Sequence, residues 1–168
     1  MVTIRALTSA DAQSFKNLRL QAIDNSPTSI WPTRGEVEAQ STSEITARIH
    51  TTPTQTVFGA FIDNTLVGIT GVRREPLSQV SHKAIIWGVF VDPTQRGKGI
   101  AQDMLRVATE HALHAWGCLQ LTLCVNAENT PAKRLYTSQG FVTFGVEPRA
   151  MQVGGRFYDE EYMVKKLR

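Results

Sequence analysis

Val89-Phe90-Val91-Asp92-Pro93-Thr94-Gln95-Arg96-Gly97-Lys98-Gly99-Ile100-Ala101 reads as a strand that stops at a turn and restarts as a helix. The run leading into it, Ala84 to Val91, is apolar on both alternating faces, as expected of a central buried strand. Asp92-Pro93 ends that strand, because proline has no N–H for the ladder and restricts the residue before it. Gly97 and Gly99 then bracket Lys98, and an amphipathic pattern begins at Ile100. A strand, a glycine-containing turn and a helix start leave several unpaired backbone N–H groups at one point. The helix dipole adds partial positive charge there, and glycine lets the backbone come close to an anion, so the place suits a phosphate. A P-loop would need Gly where Asp92 stands and Ser or Thr where Gly99 stands. A dinucleotide fingerprint would need a third glycine at Gln102. What remains is Arg96-x-x-Gly99-x-Ala101, and the bland alternative is a tight βα turn whose glycines serve packing alone.

The rest of the chain bounds what such a phosphate site could belong to. At 168 residues, 42% hydrophobic and 20% charged, the composition is that of one ordinary globular domain with a proper core. The net charge of +3 is spread along the chain apart from Arg73-Arg74 and the terminal Lys165-Lys166-Leu167-Arg168. No basic stripe for nucleic acid emerges, while a modest positive field suits a polyanionic ligand. Two cysteines, Cys118 and Cys124, give no disulfide framework, so a reducing, cytoplasmic setting is expected. The N-terminal residues lack the apolar core of a signal peptide, and the eight-residue run Ala84 to Val91 is too short to span a bilayer.

Along the chain, Val2 to Ala6 alternates as a short strand. Thr8 or Ser9 can cap a helix with Phe15, Leu18, Ala22 and Ile23 on its apolar face. Pro27 to Gln40 reads as irregular and holds Trp31, which could plug the core or line an acceptor pocket; packing is the expected role. A short helix over Ser43–Ile49 precedes a hairpin, Thr56–Ile62 and Leu66–Val72, turned at Asp63-Asn64-Thr65. After the glycine turn, Met104, Leu105, Ala108, Ala112, Ala115 and Trp116 recur at helical spacing, and Gly117 is placed to stop that helix. Leu119 to Asn126 alternates as a half-buried strand. Asn129 or Thr130 caps the next helix, which Gly140 ends. Phe141–Phe144 and Phe157–Leu167 close the chain as two strands around Met151 to Gly155. The result is one α+β domain with a mixed sheet.

A second motif, Asn129-x-x-Ala132-x-x-Leu135-Tyr136-x-x-x-Gly140-Phe141, stands thirty residues after Gly99. Asn129 and Tyr136 are seven apart, two helical turns, and project from one side. Together with Arg96-x-x-Gly99-x-Ala101 behind a Val-x-Val-Asp-Pro strand end, this segment resembles the paired motifs of the GCN5-related N-acetyltransferases. The resemblance covers most of the chain, although residues 27–53 do not carry it. It implies a single N-acetyltransferase domain over residues 1–168, α+β in three layers, with a mixed, mostly antiparallel sheet flanked by helices. It implies transfer of acetyl from acetyl-CoA to a primary amine by direct attack, the acceptor being a small-molecule amine or a protein N-terminus. It leaves a homodimer open.

The resemblance also distributes roles. Val89, Phe90 and Val91 would run along the pantetheine arm, with the Val89 N–H polarising the thioester carbonyl as an oxyanion donor does. Arg96, Gly97, Lys98, Gly99, Ile100, Ala101 and Gln102 would wrap the pyrophosphate. Asn129 would bond polar groups of the pantetheine, and Tyr136 would act as general acid. The family's usual carboxylate base is missing, since Ile85 and Cys124 stand where a Glu is often found. His82 and Glu147 are substitutes, and an amine of pKa about 8 would need no strong base. The missing base also motivates a rival reading, a catalytically silent CoA-binding sensor of the same fold. Cys124 could instead form an acyl-enzyme, but no histidine lies near it in sequence, which favours direct transfer. His111, His114 and Cys118 share a helical stripe without an evident fourth ligand, so surface histidines are expected rather than zinc.

Overall fold

The run read as the central strand forms β4, Lys83–Val91, in a computed structural model that describes residues 1–168. β4 pairs antiparallel with β3 (Thr65–Arg74) on one side and parallel with β5 (Gln120–Asn126) on the other. A parallel pair needs a crossover, and α4 (Ile100–Glu110) supplies it. β1 (Val2–Ala6) and β2 (Gln55–Ile62) extend the sheet beyond β3; β7 (Arg156–Lys166) and β6 (Val142–Val153) extend it beyond β5. The order is β1-β2-β3-β4-β5-β7-β6, antiparallel everywhere except between β4 and β5. The mixed, mostly antiparallel sheet expected from the sequence is thus observed.

Helices cover both faces. Phe15, Leu18 and Ala22 of α1 (Ala12–Asn25) and Ile45 and Ile49 of α3 (Thr42–Ile49) pack on Val57, Phe61, Ile69 and Phe90. On the opposite face, Leu105 and Ala108 of α4 and Tyr136 of α5 (Thr130–Ser138) pack with Phe58, Val72, Ile86 and Leu123. No helix is long and apolar enough to cross a membrane.

Several expectations need correction. Residues 27–40 are not wholly irregular: a turn at Pro27–Ser29 leads to a short α2, Arg34–Glu38. α2 starts at a capping box in which Thr33 Oγ1 accepts from the Glu36 N–H and Glu36 accepts from the Thr33 N–H. The last strands are longer than their apolar residues suggested. β6 runs twelve residues, absorbing Pro148 and Arg149 in an irregularity between Glu147 and Met151, which an edge strand tolerates. The turn is therefore only Gly154-Gly155, both at positive φ, between Val153 and Arg156. His111, finally, is not a surface residue. The helix after α4 opens to π winding over His111–Ala115, and the half-buried imidazole packs edgewise between Phe58 and Trp116.

The feature that positions the site is a parting of the sheet. β4 and β5 are matched over only three residues each, Lys83, Ala84 and Ile85 with Gln120, Leu121 and Thr122. Beyond Ile85 and Thr122 the strands separate. On the other side of β4 the register with β3 slips between Ile69 and Gly71, so Gly88 and Val89 have no cross-strand partner on either side. Gly88 takes φ +67°, a left-handed value that glycine reaches without steric cost. Accordingly β4 is not buried on both faces as its apolar run suggested: Trp87, Gly88 and Val89 are half-exposed along the parting.

Candidate active site

The space between the parted strands is a cleft lined by Trp87, Gly88, Val89 and Phe90 of β4 and by Leu123, Cys124, Val125 and Asn126 of β5. Asn129, the cap of α5, and Ala132 and Tyr136 of that helix also line it, as do Arg19 and Ala22 of α1 and Glu160 of β7. Of the residues singled out in the sequence, Val89, Phe90, Asn129 and Tyr136 therefore meet at one place. Gly97 to Gln102 lie apart from that lining, at the head of α4, where β4 runs out.

That head is built by local bonds. Asp92 accepts from the Thr94 N–H at 2.9 Å and the Thr94 hydroxyl at 2.8 Å, which fixes the turn after β4. Arg96 is exposed but folds back, its Nε donating to the Val91 carbonyl at 3.1 Å and its Nη2 to Asn25 Oδ1 at 3.2 Å. Gly97 and Gly99 follow at φ +78° and +77°. The backbone N–H groups of the six residues Gly97 to Gln102 make no hydrogen bond, and only at Asp103 does the ladder begin, with its N–H donating to the Gly99 carbonyl at 3.0 Å. A Cβ added at Gly97 or Gly99 would meet nothing within 4 Å, so open space stands over these donors. A row of free N–H groups at a helix N-terminus, unobstructed, fits a pyrophosphate.

Tyr136 is 8% exposed, with its ring edge-on to Phe141 at 6.0 Å. Burial, together with Cys124, holds its phenol far above the ordinary value, so it keeps its proton at neutral pH. Cys124 is half-buried, and its thiol is pushed up to about 11 by burial and by the acids Glu160 and Glu147. A thiol so protonated is a poor nucleophile, which removes the main motive for an acyl-enzyme. Asn129 caps α5 by accepting from the Ala132 N–H at 3.2 Å, and its amide donates to Ser29 Oγ at 3.1 Å. Its side chain is engaged with the protein on both sides.

Sequence reasoning missed two residues. Glu160 is 5% exposed, faces Asn126 in the β5–β7 register, and accepts from the Trp31 indole N–H at 3.0 Å. Trp31, 65% exposed, does not plug the core; its indole reaches Glu160 from outside, and its ring lines a neighbouring pocket with Pro27, Pro32 and Met151 rather than the cleft itself. Burial lifts the Glu160 carboxyl above the usual carboxylate range, and Glu147 adds to the lift. Neither substitute base from the sequence lies on the cleft: His82 is exposed before β4, and Glu147 is exposed on β6, accepting from the Tyr162 hydroxyl at 3.4 Å. Arg19, the second missed residue, had a signal: a cation inside the apolar stripe of α1 between Phe15, Leu18 and Ala22.

Comparisons with known proteins agree with this geometry. The family model described as acetyltransferase (GNAT) family matches residues 20–141. The N-alpha-acetyltransferase RimI of Mycobacterium tuberculosis is 32% identical over 159 residues, covering 92% of this chain and 87% of that protein. Mycothiol acetyltransferase of Brachybacterium faecium is 35% identical over 97 residues; the match covers 56% of this chain and only 29% of that longer protein. Among solved structures, a putative acetyltransferase from Salmonella typhimurium, solved with its cofactor acetyl-CoA, superposes at a TM-score of 0.85. That superposition covers all of this chain and 95% of the other at 20% identity, a likeness of fold. A splayed mixed sheet, a glycine turn of free amides and a family match over residues 20–141 lead to one statement: this chain belongs to the acetyltransferase (GNAT) family.

Proposed function

We propose that the chain transfers acetyl from acetyl-CoA to a primary amine by direct attack, the acceptor being a small-molecule amine or a peptide N-terminus. The observation that carries this reading is the row of free N–H groups from Gly97 to Gln102, placed at the end of the strand whose parted edge leads to Tyr136. The row binds the pyrophosphate. The parted edges of β4 and β5 take the pantetheine arm, bringing the thioester to the bulge at Gly88 and Val89. There the Val89 N–H polarises the carbonyl.

Glu160 accepts a proton from the incoming ammonium, which frees the nitrogen lone pair for attack on the acyl carbon. A C–N bond forms and the C–S bond breaks. Tyr136 donates its phenol proton to the departing thiolate and recovers one from the attacking nitrogen, while Glu160 releases its own to solvent. The raised carboxyl of Glu160 suits a base working near neutrality, and burial keeps the Tyr136 phenol protonated and so available as a donor. With a carboxylate in the cleft, the missing Glu at Cys124 no longer favours a silent sensor.

The test is release of free CoA with acetyl-CoA and a panel of primary amines, amino acids and short peptides. On the best acceptor, Tyr136→Phe should lower kcat by about 10²–10⁴-fold with CoA affinity little changed, because the hydroxyl acts in the transition state. A kcat near wild type would make Tyr136 structural. Tight CoA binding without turnover of any amine would establish the sensor reading instead.

A further inference from the structure

The cleft holds two buried charges that do not pair. Arg19 is 7% exposed and Glu160 is 5% exposed, and both line the space between the parted strands, Arg19 from α1 and Glu160 from β7. The Arg19 guanidinium makes no hydrogen bond or ion pair with the protein; Phe15 and Trp87 lie near it, their ring centroids 5.9 and 5.8 Å away. The charged group that does act on it is another cation, Arg48, and with burial this brings the Arg19 pKa down to about 10. The bulge lies directly beside it, since a Cβ at Gly88 would stand 3.4 Å from Arg19 Nη1. Glu160 accepts from a neutral indole N–H and has no cation against it, while Glu147 stands opposite in the β6–β7 register. Burying an ion without a counter-ion is costly, and the usual remedy is a partner of opposite charge. Neither residue has one in the protein, and both border the same cavity.

We infer that the acceptor is an amino carboxylate, an amino acid or close analogue whose ammonium is received by Glu160 and whose free carboxylate is received by Arg19. The inference rests on the acyltransfer reading above and narrows it. A guanidinium offers a planar fork of donors that matches a carboxylate, which a simple alkylamine lacks. A peptide N-terminus is excluded, because its α-carbonyl is bound up in an amide. On transfer, the C–N bond forms and the C–S bond breaks as before. The product is an N-acetyl amino acid anion that has lost its attraction to Glu160 and keeps only Arg19, a difference that favours release.

The test uses amino acids with the amine one to four carbons from the carboxylate, each beside its own carboxamide. Two measurements are made on the full chain: kcat/KM by CoA release, and calorimetric binding to the CoA-loaded protein. At least one acid should exceed its amide by about tenfold or more in both. That preference should collapse toward one in Arg19→Met and recover in part in Arg19→Lys, with melting curves showing that both variants are folded. Amides equal to acids throughout, or a preference that survives Arg19→Met, would overturn the inference, as would acetylation of simple amines or peptides with no amino acid bound. Should nothing be acetylated, the acyltransfer reading fails, and the calorimetry still decides: Arg19-dependent binding of an amino acid supports the charge-pair site, and its absence removes it.

Discussion

Glu160 faces Asn126 across the β5–β7 ladder with the Trp31 indole donating to it and the Cys124 thiol beside it, and burial holds its carboxyl above the usual range. Its native pKa is thus higher than its pKa in the unfolded chain. Between those two values the native state binds more protons, so stability falls as pH rises through the window. Below the ordinary carboxylate pKa the contribution is fully favourable; near neutrality the ionised, buried group is a burden on the fold. Glu160→Gln, which can still accept from Trp31, should therefore raise the melting temperature at pH 7 and leave it unchanged at about pH 4 or below. The same substitution should remove the acidic limb of the kcat/KM profile along with most of the activity. A lower melting temperature at pH 7 would mean that the carboxylate is favourably paired. Tyr136 and Asn129 could be picked out because one contiguous motif, the one that carries the family resemblance, holds them both at and within α5. Glu160 could not, since its placement depends on β7 inserting between β5 and β6, a pairing between strands some thirty residues apart that local alternation does not encode.

Among the elements, the turn between β4 and α4 was the most legible. Gly97 and Gly99 occupy positive φ as a phosphate-approaching loop requires, and Ile100 begins α4 as its periodicity indicated. Gly99→Val should separate the two uses of that glycine. A Cβ there meets nothing in the protein, so the domain should fold, carrying the roughly 1–2 kcal/mol cost of a left-handed L-residue. Over the loop, however, the side chain would occupy the space proposed for phosphate oxygens, and CoA binding should weaken severely in calorimetry. Unchanged CoA affinity in a folded Gly99→Val protein would put the phosphates elsewhere. The elements that escaped the sequence did so for physical reasons. α2 is five residues long, too short for a periodic signal and held by its capping box. β6 hides its length behind Gly145 and Pro148, and its outward row of Val142, Phe144 and Val146 has no buried row to alternate with.

For the molecule as a whole, the sheet divides into a four-strand half, β1 to β4, and a three-strand half, β5 to β7, joined in the ladder at Lys83–Ile85 and Gln120–Thr122. A cosubstrate lying between the halves touches both, and anything that binds only the folded state stabilises it by mass action. At a hundredfold excess over Kd, CoA or acetyl-CoA should add about 2.7 kcal/mol. For a chain of this size that corresponds to roughly 5–10 °C in melting temperature. NAD and ATP, which lack the pantetheine arm, should shift it little. A larger shift with NAD than with CoA would sink the cosubstrate assignment.

The same parting has a consequence for self-association. An exposed sheet edge is a template for strand addition, and most folds keep such edges at the rim, where they can be charged, shortened or covered. Here two inner edges, β4 beyond Ile85 and β5 beyond Thr122, lie in the middle of the sheet. The segment after α1 is fastened across their mouth, with Asn126 Nδ2 donating to the Thr28 carbonyl at 2.9 Å, Asn129 to Ser29 and Trp31 to Glu160. The loop that shapes the acceptor side is thus also a guard rail, standing where a strand from another molecule would have to enter whenever the cleft is empty.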